Sequence, residues 1–144
     1  MTMQLEINAP VNKVFDLFID KSKFPDWKIG FVSYEQVSGA PGEVGAVARL
    51  NYKRYAMIET VRRKDKPNLY IAAYEYLQNG KTMMEHEAVN TFTAISDNKT
   101  LVEVTSEIKK VNGFFNKLFV SLMAKAGEKQ FRDQLKLFKE LAEK

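Results

Sequence analysis

Apolar and polar residues alternate from Met3 to Asn8, with Met3, Leu5 and Ile7 on one side, which is the pattern of a half-buried strand. The period then changes. Val11, Val14, Phe15, Phe18 and Ile19 fall on one helical stripe, with Pro10 suited to the first turn and Asn8 placed to cap it. Asp20, Lys21 and Ser22 interrupt that stripe, and Lys23-Phe24-Pro25-Asp26-Trp27 is too short and too proline-marked for more than a brief helical turn. From residue 31 the texture is that of strands separated by turn signals: six of them, approximately 32–38, 44–52, 55–64, 69–77, 82–95 and 100–110. The connections are short, so the six strands read as an antiparallel meander. Gly113 to Glu143 then runs for 31 residues without proline, a helix of roughly 45 Å at 1.5 Å per residue. Phe115, Leu118, Phe119, Leu122, Met123 and Ala126 form its first apolar stripe. Phe131, Leu135, Phe138, Leu141 and Ala142 continue it after Gly127, where a bend or a close approach is expected.

Turn chemistry fixes which residues share a face. Asn79-Gly80 supplies the two positive-φ positions of a type I′ turn, so Gln78 is expected opposite Lys81. That register puts Leu69, Ile71, Ala73, Glu75 and Leu77 on the face of Met84, His86, Ala88, Asn90 and Phe92. Tyr70, Tyr74 and Tyr76 fall on the wetter face with Glu85 and Glu87. If Tyr52 pairs with Tyr55 across Lys53-Arg54, then Met57, Glu59 and Val61 point inward with Ala46, Ala48 and Leu50.

Composition narrows the chemistry. The chain has 144 residues, 45% apolar, with ten Phe, six Tyr, one Trp, one His and no Cys. That length fits a single domain over 1–144 with a real core. Thiol chemistry, disulfides and multi-His metal centres are excluded, and nothing calls for a metal or another cofactor. Glu85-His86-Glu87 is no metal motif, because on a strand the glutamates point away from the histidine. Gly39, Gly42 and Gly45 lead into a strand and mark a turn, not a phosphate loop. The start of the sequence has no signal-peptide pattern and no apolar stretch approaches 18 residues, so a soluble, cytoplasmic protein is expected. The net charge of +4 divides into −1 over residues 1–108 and +5 over 109–144. The basic residues of the last helix are interspersed with acids as on a solvated face, which argues against nucleic acid.

Several local phrases resemble one family when taken in order. These are Ile7-Asn8-Ala9-Pro10 with Val14-Phe15, Phe24-Pro25-x-Trp27, Gly39-x-Pro41-Gly42-Glu43-Val44-Gly45-Ala46, Glu59-Thr60-Val61 followed by Pro67, and Leu135-Lys136-x-Phe138-Lys139. Over essentially its full length the chain resembles the START-like, or SRPBCC, superfamily, which includes polyketide cyclase/dehydrase-like proteins and the birch pollen allergen. The resemblance implies an α+β helix-grip fold: a curved antiparallel sheet of about seven strands, in β-α-α-β6-α order, wrapped around the long C-terminal helix with an internal cavity. It also implies an apolar or amphipathic small-molecule ligand, and leaves open a carrier, a cyclase or dehydratase, and a co-chaperone-like interaction module.

His86 is the one side chain whose ordinary pKa lies near neutrality, so imidazole chemistry has a single address. Glu75, diagonally across the hairpin, is its expected orienting carboxylate. The plainer reading is a structural histidine. Glu59, if buried, is a second acid or an anchor for a ligand hydroxyl; the alternative is a surface ion pair with Lys or Arg. Asn90 is the remaining polar group on the inward face. Trp27, Phe31, Met57 and Met84 are expected in the apolar wall of the cavity. Phe92, Leu118, Leu122 and Met123 complete it, unless these positions are ordinary core. Phe114, Phe115 and Phe119 with Lys109, Lys110 and Lys117 make the start of the last helix basic and aromatic. That arrangement would suit transient membrane contact, a homodimer surface, or simple packing on the sheet.

Overall fold

The computed structural model describes residues 1–113 and 116–144, with the side chains at 116–120 and 123 outside the description. Strand β1 (Thr2–Ile7) leads into helix α1 (Val11–Ile19), a 3₁₀ turn over Lys21–Lys23 and the short helix α2 (Phe24–Trp27). Strands β2 (Phe31–Ser38), β3 (Val47–Tyr52), β4 (Ala56–Asp65), β5 (Leu69–Gln78), β6 (Lys81–Ser96) and β7 (Lys99–Val111) follow, then helix α3 (Asn116–Ala142). The seven strands form one curved antiparallel sheet in the order β1-β7-β6-β5-β4-β3-β2. This is the helix-grip arrangement. No described helix is long and apolar enough to cross a membrane.

The expected elements are present, with local differences that have physical causes. Pro10 occupies the position before α1, and Asn8 does not cap the helix. The chain there is held instead by the buried Thr100 hydroxyl, which donates to the Ala9 carbonyl at 2.8 Å. Strand β3 begins at Val47 because Gly45, at φ 86°, turns the backbone so that its N–H donates to the Val61 carbonyl at 2.8 Å. Gly39 must be glycine on space as well as on φ, since a Cβ there would lie 2.9 Å from the Ala46 Cα.

Asn79 and Gly80 both have positive φ, 53° and 75°, and Gln78 pairs with Lys81 as the turn chemistry requires. Two residues later the register slips. Leu77 pairs with Thr82 but Tyr76 pairs with Met84, leaving Met83 as a bulge. From that point every residue of β6 faces the opposite partner: Tyr74 lies across from His86, Ala72 from Ala88 and Tyr70 from Asn90. The inward face of β5 is therefore Tyr70, Ala72, Tyr74 and Tyr76, not Leu69, Ile71, Ala73, Glu75 and Leu77. The turn reads correctly from sequence, but the bulge cancels its consequence for the faces. On β4 no such slip separates the turn from the site. Glu59 pairs with Ala48 and Met57 with Leu50, and Glu59 points inward as expected.

The packed end of the molecule is an aromatic cluster. Phe92 meets Phe15 and Phe18 edge-on at ring-centroid distances of 5.3 and 5.2 Å, and Trp27 lies 4.8 Å from Phe138. Leu135, Phe138 and Ala142 bury the last turns of α3 against this cluster. Two glutamines tie the same half of α3 to the segment after α2: Gln134 accepts from the Ile29 N–H at 2.9 Å, and Gln130 donates to the Ile29 carbonyl at 3.4 Å. The described residues at 121, 122 and 124–127 are exposed, and Leu122 is 69% accessible. Among the described residues, the contacts that hold α3 come from its C-terminal half. Trp27 and Phe92 belong to the packed core instead of a cavity wall, and Leu122 to neither.

Phe92→Ala is expected to cost about 3–5 kcal/mol, because the cluster around it cannot collapse into the space. Leu122→Ala should stay within about 0.5 kcal/mol. Urea unfolding midpoints of the two variants check the contrast; equal losses would mean that Leu122 is packed in solution.

Candidate functional site

Among the described residues, a charged cluster on the inner face of the sheet centres on Glu59. Glu59, 2% exposed, receives three partners: Lys21 Nζ at 2.8 Å from Oε1, the Tyr74 hydroxyl donating to Oε2 at 3.0 Å, and the Tyr70 hydroxyl donating to Oε1 at 3.4 Å. Lys21 reaches inward because of the turn that holds it. Asp20 Oδ1 accepts from the Ser22 N–H at 3.0 Å and from its hydroxyl at 2.6 Å. The closed turn leaves Lys21 as the buried residue among exposed neighbours. Burial and the Glu59 charge push the Tyr70 and Tyr74 hydroxyls well above their ordinary values, so both remain neutral donors.

Rings continue from this cluster along the inner surface. Phe31 meets Tyr52 edge-on at 5.7 Å, Tyr52 stacks on Tyr55 at 4.6 Å and 9°, and Tyr55 lies 4.8 Å from Tyr76. Tyr74 stacks on His86 at 5.0 Å and 17°. Desolvation holds the Tyr52 hydroxyl above its ordinary value and Tyr55 at about 12. Met57, Met84, Tyr55 and Tyr76 are half-buried beside these rings. The surface is apolar in its ring faces and hydroxylic at its edges, which suits an amphipathic guest.

His86 sits on this inner face as expected, but without the expected helper. The slip at Met83 puts Glu75 on the outer face, opposite Glu85, where it lines a hollow of about 210 Å³ with Ile58, Thr60, Arg62 and Glu87. No His86–Glu75 pair exists. The His86 Nδ1 is buried and has no hydrogen-bond partner among the described residues. Its pKa is lowered to about 4, first by desolvation and then by the charge of Lys28, so the imidazole is neutral at physiological pH. Asn90 is buried and spends its amide on the Tyr70 carbonyl at 3.0 Å, which fixes β5 against β6.

Of the residues singled out from sequence, the structure brings together Glu59, His86, Met57, Met84 and Phe31 on one surface, puts Glu75 on the opposite face, leaves Leu122 exposed, and buries Phe92 and Trp27 in the packed core, Trp27 at its border with that surface through Phe24 and Phe31. The side chains of Leu118 and Met123 lie outside the described residues, as do Phe114, Phe115 and the side chains of Lys117 and Phe119. Sequence reading missed Lys21, Tyr52, Tyr55, Tyr70 and Tyr74 as site residues. Lys21 carries a usable signal, since an inward carboxylate needs a cation and Asp20-x-Ser22 is a capped turn that can present one. Tyr70 and Tyr74, with Tyr76, carry a weaker one, because the expected register left these three large rings in water, whereas Tyr52 and Tyr55 were on the inward face of the expected register.

Comparison with known proteins gives consistent results. The family model described as polyketide cyclase / dehydrase and lipid transport matches residues 1–143. No curated protein matches the chain. Among solved structures, a conserved protein from Geobacillus kaustophilus is 18% identical, with 98% of this chain and 93% of that one covered and a TM-score of 0.78. The Zhui aromatase/cyclase from Streptomyces sp. R1128 is 13% identical, with coverages of 99% and 92% and a TM-score of 0.76. Ara h 8.0201 is 16% identical, with coverages of 99% and 97% and a TM-score of 0.65. At such identities the likeness establishes the fold.

Removing one member of the inner ion pair leaves the other charged in a dry environment. Lys21→Met is therefore expected to destabilise by about 3–5 kcal/mol, while Lys21→Met combined with Glu59→Gln recovers much of the loss. A double-mutant cycle by chemical denaturation measures this. His86 titrates in the opposite sense to a salt-bridged histidine. With its folded value near 4 and its ordinary value at 6.5, the unfolded chain binds more protons between those limits, so stability falls as pH drops through that window. Relative to His86→Gln, wild type should lose stability as pH falls from about 6.5 to 4, and the relative loss should level off below that. A pH-independent difference would show that the imidazole is solvated.

Proposed function

Because the chain belongs to the polyketide cyclase/dehydrase and lipid transport family, within the SRPBCC superfamily, we propose that it binds and carries an amphipathic small molecule between the inner face of the sheet and α3. Membership itself gives a hydrophobic ligand-binding or cyclase-type role; the carrier reading is the more specific claim. The observation that supports it most is the ring surface of Phe31, Tyr52, Tyr55 and Tyr76, which ends at the closed Lys21–Glu59–Tyr74 cluster. Such a surface holds a guest by its faces and orients it by hydroxyls. The carboxylate in that cluster is already committed to a cation and two phenols, an arrangement suited to holding a shape more than to moving protons.

A second reading retains one specific observation in its favour. His86, neutral and with an unpartnered Nδ1 among the described residues, has the form of a base awaiting a proton. It would act without a carboxylate orienter, in a cyclisation or dehydration of a ligand lying on Tyr74.

Native mass spectrometry of gently purified protein is expected to show a co-purified apolar ligand, or uptake from a lipid and polyketide panel. Tyr55→Ala should weaken that uptake about tenfold, equivalent to about 1.4 kcal/mol. In the enzyme case, His86→Gln abolishes turnover of a panel member and leaves its affinity intact; unchanged turnover removes that reading.

A further inference from the structure

Among the described residues, the cations facing the inner surface outnumber the carboxylates. Lys21 and Lys28 both turn toward the inner surface, yet Glu59 is the acid they share and Lys21 takes its Oε1 at 2.8 Å. Lys28, which closes α2 by donating its N–H to the Phe24 carbonyl at 2.8 Å, lies half-buried with its Nζ 4.2 Å from the Phe24 ring centroid and 5.0 Å from that of Trp27. Among the described residues its ammonium has no carboxylate or carbonyl acceptor, only the two ring faces. Ring faces repay part of the lost hydration of a cation, but they supply no counter-charge. The neighbouring indole repeats the deficit, since the Trp27 Nε1 is buried with no acceptor among the described residues.

The other groups facing Lys28 sharpen this. Its field reaches Glu59, which favours the ammonium, and Lys21 and His86, which do not attract it. His86 is neutral, so among the described residues two ammonium groups, those of Lys21 and Lys28, face this region against the single carboxylate of Glu59. Desolvation has brought Lys28 down to about 8, which still leaves it mainly protonated at pH 7. An uncompensated cation beside an aromatic surface is a recognition element for an oxyanion.

We propose that the ligand of the grip is an organic anion whose carboxylate, or chemically equivalent enolate, pairs with the Lys28 ammonium while its apolar body lies along the Tyr52–Tyr55–Tyr76 rings. The proposal rests on the binding reading given above and adds the charge of the guest and the residue that selects it. Lys28 is then a specificity-determining residue, and Lys21 is the cation reserved for Glu59.

The test compares isosteres by isothermal titration calorimetry at pH 7, using 2-naphthoate against 2-naphthamide and decanoate against decan-1-ol. The acid of at least one pair should bind tenfold or more tighter than its neutral partner. Which pair responds distinguishes an aromatic from an aliphatic guest. Lys28→Met should erase the preference while the neutral partner keeps its affinity, and Lys28→Arg should retain it. The expected preference also fades above about pH 8 as the amine loses its proton. If neutral and acidic partners bind equally, or Lys28→Met keeps the preference, the anion assignment is overturned and the amphipathic-carrier reading survives. If neither member of either pair binds, the anion assignment is overturned together with the carrier reading.

Discussion

A carboxylate almost wholly withdrawn from water organises the inside of this protein. Glu59 must be surrounded by donors or its burial would cost several kcal/mol, and the donors come from distant parts of the chain: Lys21 from the turn after α1, Tyr70 and Tyr74 from β5. Each donor fixes an element. The turn must close so that Lys21 reaches inward, which sets how α1 and α2 lie over the sheet. Strand β5 must present its tyrosines to β4, which sets the face that every other residue of β5 shows. A hydrophobic core alone tolerates small shifts of its parts; a buried ion with directional partners does not.

The order of elements was legible because it is written in local signals. The stripe in α1, the turn dipeptides and the proline-free run of α3 act over a few residues, and their positions agree with the structure to within about one turn. The inward placement of Glu59 was also legible, since only a tight turn lies between it and its reference. The faces of the β5–β6 hairpin were not. A single extra residue at Met83 reverses them, and nothing in the local pattern of Thr82-Met83-Met84 distinguishes a bulge from a regular pair. The reversal removed Glu75 from the site and admitted three tyrosines, so one backbone irregularity changed a proposed acid–base pair into a stacked ring pair. Lys21 was missed for a different reason. Its role depends on a partner almost forty residues away, and periodicity treats a lysine among Asp20 and Ser22 as surface.

The fold and the site divide the molecule between rigidity and access. Phe15, Phe18, Phe92, Trp27 and Phe138 form a packed end that α3 grips through Leu135, Phe138 and Ala142. Toward the other end, the sheet offers half-buried rings and methionines, and the described residues of α3 at 121, 122 and 124–127 are exposed. The surface proposed for the ligand lies where burial of the described residues is partial, as expected for parts that must accept a guest without unfolding the rest.

The position of Lys28 over Trp27 has one more consequence. This indole is the sole tryptophan of the chain, and the ammonium lies 5.0 Å from its ring. An indole's excited state carries a larger dipole than its ground state, so a charge fixed at that distance shifts the emission wavelength, and neutralising the charge shifts it back. The protein therefore contains its own optical gauge of what stands beside Lys28, readable without a label and with no other tryptophan to blur it.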